Sequence, residues 1–202
     1  MGRYTEYFKE IWQMQASRKV IGLTLFGVIY NNTTPFTPGN KLSIAEGVET
    51  ALGILTRKGY DFLIIAGQPP NKTKNLEIVD FENILGATKE IADSVGARIK
   101  NAYYAPSTDK TDPFVKPNPG MFERAQNENM VVWEESYYIG ADLNDVKAAL
   151  KVKATPVLIK PAGSVLKTKA FELTNNVKAQ EFSSLLEFAE SLWKLILIKL
   201  SF

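Results

Sequence analysis

Residues 19–36, KVIGLTLFGVIYNNTTPF, open as an apolar run and end in a polar loop containing proline. A short run that is apolar throughout reads as a strand buried on both faces, as in a parallel sheet covered by helices on both sides. In such sheets, ligands sit beyond the carboxyl ends of the strands. The end of this strand offers Thr24 and Phe26 but no acid, Cys, His or Gly-preceded Ser, so a position suited to catalysis lacks the usual chemistry.

The rest of the chain supports the same architecture. AEGVETALGILTRKG (45–59) sets Val48, Ala51, Leu52 and Leu55 on one helical face and stops at Gly59. YDFLIIAG (60–67) is a second continuous apolar strand, which Pro69 and Pro70 prevent from continuing. VDFENILGATKEIADSVG (79–96) turns Phe81, Ile84, Leu85, Ile91 and Val95 inward. There follow a strand in ARIKNAYYAP (97–106), a polar, Pro-rich loop STDKTDPFVKPNPG (107–120) and a short helix MFERAQNEN (121–129). The strand ESYYIG (135–140), the helix DLNDVKAALKVK (142–153) and the strand TPVLI (155–159) complete the pattern. Strands alternating with helices predict a doubly wound α/β domain with a mainly parallel sheet over residues 19–160. Helical additions are expected at 1–18 and 161–202.

Composition narrows the function. The 202 residues carry 24 basic and 22 acidic side chains, a net charge of +2, without a long basic run. No nucleic-acid partner is expected from that balance. The absence of Cys and His removes disulfides, thiolate nucleophiles, imidazole bases and the usual zinc ligands. The opening MGRYTEYFKEIWQMQ mixes Arg3 and Lys9 with Glu6 and Glu10 and has no apolar run, so it does not read as a cleaved secretory signal.

The order and spacing of LTLFGVIYN, PGNKLSIAEGVETALGILTRKGY, LIIAGQP, NAYYAPSTDKTDPFVKPNPGMFERA and YYIGADLNDVKAA resemble the successive motifs of the haloacid dehalogenase-like phosphatases. The likeness is greatest to the histidinol-phosphate and heptose-bisphosphate branch, over roughly residues 19 to 160. It implies a Rossmannoid fold and a site at four segments. Matched on Gly27, the resemblance puts Thr24 where the family has its nucleophilic Asp and Phe26 where it has its acid/base Asp. Ala66, Gly67 and Gln68 match a Thr-Asn-Gln motif, and Lys116 matches the family's phosphate-balancing lysine. Ala141 stands in place of a magnesium-ligating Asp, Asp145 is retained, and Asp142 is one residue out of register. The family's zinc-loop ligands fall near Ala105, Ser107, Asp112 and Phe114, and its substrate-contacting Arg falls at Val115. The resemblance therefore implies a vestigial site at Thr24, Phe26, Ala66, Gln68, Lys116, Ala141, Asp142 and Asp145, with no catalytic residue, metal or cofactor. Lys116 and Asp145 are expected to form an ion pair that orders their loops, with Phe26 plugging the old pocket, and Lys116→Ala is expected to be nearly silent.

The two ends suggest another role. Tyr4, Tyr7, Phe8, Ile11 and Trp12 form an aromatic stripe at helical spacing before the first strand. The closing EFSSLLEFAESLWKLILIKLSF is apolar around most of its final turns, where Leu192, Trp193, Ile196, Leu197 and Leu200 lie, and that run is too short to span a bilayer. These stripes predict contact with other protein subunits and allow contact with a membrane surface. The resulting expectation is a catalytically inactive accessory subunit of a larger assembly, with a mitochondrial membrane complex as the candidate. The alternatives are a diverged magnesium-dependent phosphatase, or a module that binds a phosphorylated metabolite.

Overall fold

A computed structural model describes residues 19–31, 36–37, 39, 41–160 and 179–199, with side chains up to 192. The elements, in chain order, are β1 (Lys19–Leu23), α1 (Val48–Arg57), β2 (Tyr60–Ala66), α2 (Ile78–Ser94), β3 (Ile99–Tyr104) and α3 (Gly120–Asn129). These are followed by β4 (Tyr137–Gly140), α4 (Leu143–Lys151), β5 (Thr155–Ile159), β6 (Gln180–Phe182) and α5 (Leu185–Lys199). The six strands form one sheet in the order β3-β2-β1-β4-β5-β6. Every pairing in it is parallel.

Alternation along β2 shows why the sheet is covered twice. Phe62 and Ile64 enter one buried cluster with Leu52, Leu55 and Phe81 from α1 and α2. Leu63 and Ile65 enter the opposite cluster with Met121, Phe122, Ala148 and Ala149 from α3 and α4. Because successive strand side chains point to opposite faces, a continuous apolar run serves both cores. Trp133, fully buried below α3, anchors the second core through its indole N–H, which donates to Phe122 O at 3.0 Å.

The end of the chain departs from expectation. β6 adds a sixth strand beside β5, and Leu185, Phe188 and Ala189 of α5 are buried in the first core. Leu192 is half-buried against the same core, and its carbonyl accepts from Lys58 Nζ at 3.0 Å. The boundary drawn at 160 therefore does not separate an appendage: residues 180–192 are part of the sheet and its packing. Sequence periodicity missed β6 because three residues are too few to display a period, and strand pairing is a non-local choice. The stripe Tyr4, Tyr7, Phe8, Ile11 and Trp12 lies outside the described residues, as do Leu200 and the side chains of Trp193, Ile196 and Leu197. Among the described residues, no helix is long and apolar enough to cross a membrane.

Strand order places the crevice. From β1 the chain moves outward to β2 and β3, then returns to lay β4 on the other side of β1. The order reverses between β1 and β4, and their carboxyl ends carry Thr24 and Ala141.

Candidate functional site

Thr24 follows β1 directly, and its N–H donates to Ile139 O at 3.0 Å, extending the pairing with β4 into the crevice. Its hydroxyl faces Lys116, brought in by the loop before α3. That loop closes on its own hydrogen bonds where the resemblance puts zinc ligands. Phe114 N donates to Asp112 Oδ1 at 2.8 Å, and Asn118 Nδ2 donates to Lys110 O and Asp112 O, both at 2.9 Å. Val115 packs against the second core, fixing the entry of Lys116.

The Lys116 ammonium lies within hydrogen-bond reach of four oxygens. Its three N–H donors are shared among Thr24 Oγ1 at 3.2 Å, Ile65 O at 3.3 Å, Tyr138 Oη at 3.0 Å and Asp145 Oδ1. The Lys116 and Asp145 side chains are only 11% and 4% exposed, so the expected ion pair is present and nearly dry. The second Asp145 oxygen accepts from Ala141 N at 2.8 Å and Asp142 N at 3.3 Å. This carboxylate fits only because residue 140 is glycine: a Cβ there would stand 2.1 Å from Asp145 Cβ.

Tyr138 is the residue that sequence reasoning missed. Its hydroxyl reaches Ile65 O at 3.0 Å and Asp145 Oδ1 at 3.1 Å from a fully buried ring. Burial first, and then the Asp145 charge, hold its pKa well above the ordinary tyrosine value, so it remains a hydroxyl donor. The available signal was a hydroxyl-bearing side chain inside an apolar strand, two residues before Gly140. Tyr138→Phe leaves the ammonium and the Ile65 carbonyl one partner short. The expected loss is about 1–3 kcal/mol, readable as a lower urea midpoint.

Asp142 caps α4: Oδ1 accepts from Asn144 N at 2.7 Å and Asp145 N at 2.9 Å. Burial first, then the neighbouring Asp145, raise its pKa against the opposing pull of these amides and Lys116. The folded protein thus keeps this proton to a higher pH than the unfolded chain. Asp142 contributes stability at low pH that is lost as pH rises through its folded pKa. Asp142→Asn retains a good cap. The variant should melt above the parent at neutral pH, and the gap should close as pH falls to about 4, the ordinary Asp value. Melting curves collected across that range test the sign.

The other predicted positions do different work. Phe26 is buried at 6% exposure and meets Phe36 edge-on, with centroids 6.3 Å apart. It belongs to the first core, whereas Tyr138 belongs to the second, so the ring is placed as core rather than as part of the Lys116 cage. Ala66 is fully buried at the end of β2. Gln68 ties loops together: Nε2 donates to Leu76 O at 2.9 Å and Pro106 O at 2.8 Å, while Oε1 accepts from Leu76 N at 2.8 Å. Ala141 contributes its backbone N–H to Asp145.

The donor set argues against magnesium, which needs near-octahedral oxygen ligation. Asp145 has both oxygens engaged, and one oxygen of Asp142 already accepts two amides. Among the described residues, no group of three acidic, Cys or His side chains could hold a metal. The residues present do not fit a divalent ion.

No family model and no curated protein match the sequence. Solved structures do match. A D,D-heptose 1,7-bisphosphate phosphatase from B. bronchiseptica, complexed with magnesium and phosphate, superposes with a TM-score of 0.68 at 16% identity, over 87% of this chain and 98% of that one. The Burkholderia thailandensis D,D-heptose 1,7-bisphosphate phosphatase gives 0.61 at 16% identity, with the same coverage of 87% and 98%. The cobalt-bound deoxy-D-mannose-octulosonate 8-phosphate phosphatase from Haemophilus influenzae gives 0.56 at 12% identity, over 90% and 91%.

These neighbours stand against the expectation that the chain is no enzyme, because structures sharing its fold include phosphatases. That expectation rested on the substitutions at the family's motif positions taken together. Folding instead gathers an ammonium, two hydroxyls and the Asp145 carboxylate where β1, β2 and β4 end, with Asp142 capping the adjoining helix and Tyr138 supplied from outside those motifs. The six-stranded parallel sheet, its strand order and these superpositions show that the chain has the haloacid dehalogenase-like fold.

Proposed function

We propose that this chain is a diverged phosphatase-type hydrolase of phosphate monoesters. The observation that carries the reading is the Lys116 ammonium, held at the carboxyl ends of β1, β2 and β4 on a phosphatase fold, with Asp142 capping the adjoining helix. Lys116 supplies positive charge for the ester's phosphoryl group, and the Thr24 hydroxyl offers it a hydrogen bond. Thr24 has no evident base to make it a strong nucleophile, so attack falls to water. Asp142 Oδ1 is committed to the cap, which leaves Oδ2 to exchange a proton with water or the leaving oxygen. Its raised pKa suits that role.

The organic part of the ester is assigned to a neighbouring segment of the fold. A cavity of about 430 Å³ opens three residues beyond Thr24, lined by Gly27, Asn31, Glu46, Ile159, Ser183 and Ser184 among others. Its hydroxyl, amide and carboxylate groups suit a leaving group rich in hydroxyls.

Phosphate release from a panel of sugar and alcohol phosphomonoesters tests the reading. Turnover should appear with at least one ester and fall by about 100-fold or more in Asp142→Asn, the loss typical of a missing acid/base. No turnover across the panel, with phosphate binding retained, would sink the hydrolase assignment.

A further inference from the structure

We infer that the cation of this site is the Lys116 ammonium itself, standing where a phosphatase of this fold would otherwise need a divalent metal. The inference deepens the phosphate-ester reading and rests on it for the identity of the anion. Nζ faces oxygens from four separate segments: Thr24 after β1, Ile65 in β2, Tyr138 in β4 and Asp145 in α4. This is the shell of a bound cation, filled from within the chain. The Tyr138 ring adds to it, with Nζ 5.6 Å from its centroid.

A divalent ion entering here would have to displace the ammonium from Asp145, because that carboxylate has no oxygen left over. It would then sit beside a buried positive charge with no acidic side chain at 24 or 141 to offset the repulsion. Ala141 has no side-chain oxygen to offer, and its N–H already faces an Asp145 oxygen. The ammonium has no such conflict, and its charge is matched by Asp145 alone. An incoming phosphate dianion would have to share the ammonium with Asp145, and it needs no metal to find a cation there.

Calorimetric titration of the full chain with Mg²⁺, alone and with inorganic phosphate present, separates the possibilities. The expected result is no saturable Mg²⁺ binding in either case, with phosphate raising the unfolding midpoint equally in EDTA and in Mg²⁺. Saturable Mg²⁺ binding, or phosphate stabilisation that requires Mg²⁺, overturns the inference. A second variant guards against misfolding: Lys116→Met with Asp145→Asn removes both charges together and should abolish the phosphate effect. Phosphate stabilisation that survives in this variant also overturns the inference. If phosphate has no effect on the parent in either buffer, the phosphate-ester reading falls, and the Mg²⁺ titration still decides whether the cage excludes metal.

Discussion

Lys116→Ala is expected to destabilise the domain by about 3–5 kcal/mol, the cost of leaving a buried carboxylate without its partner. The near-silent outcome expected from the sequence treated Lys116 as a loop-end residue. The structure instead buries its ammonium with Asp145, Thr24 and Tyr138. Little water can reach Asp145 to replace the lost charge, since that side chain is only 4% exposed. For a chain of this size the loss corresponds to a fall of about 6–20 °C in melting temperature. The control is Lys116→Met combined with Asp145→Asn. It removes the unpaired charge, so it should recover much of the stability while losing the anion site. A single variant as stable as the parent would show that the pair is solvated in solution, against the burial described.

Gly140→Ala should be equally severe and for a purely steric reason. The added methyl would stand 2.1 Å from Asp145 Cβ and 2.5 Å from its Cγ, so neither side-chain rotation nor a small shift relieves the clash. The first turn of α4 must move away from β4, breaking the bonds from Ala141 N and Asp142 N to Asp145. Overpacking of this kind costs typically about 1–3 kcal/mol, and more where the backbone must yield. We expect the upper end or beyond. A double-mutant cycle with Asp145→Gly makes the cause visible, because removing the struck side chain should relieve most of the Gly140→Ala penalty. Additive penalties in urea denaturation would place the clash elsewhere.

Both variants concern groups that local sequence could name but whose burial it could not show. The apolar runs at 19–29 and 60–67 and the helical faces around Leu52 and Phe81 were legible because a strand repeats every two residues and a helix every 3.6. Those periods, with the alternation of element types, sufficed for a parallel sheet covered on both faces. Lys116 and Asp145 were also legible as a pair, since a lysine and an acid at adjoining strand ends attract. Their burial was not. It depends on Tyr138, Ile65 and Gly140 closing around them, and hydrogen-bond geometry leaves no periodic trace in the sequence. Phe26 shows the opposite failure: an aromatic at a strand end read as a plug, while packing against Phe36 draws it into the core.

By itself, then, the sequence determined the α/β class, the succession of strands and helices, and the charged and hydroxyl groups at the strand ends. Tertiary structure alone decided that β1 lies between β2 and β4, that β6 joins β5, and that Thr24 meets Lys116 across 92 positions of chain. The division follows from range. Hydrophobic period and turn chemistry act between neighbours in sequence, whereas strand order and a buried polar cage are chosen by contacts among distant segments as the two cores close.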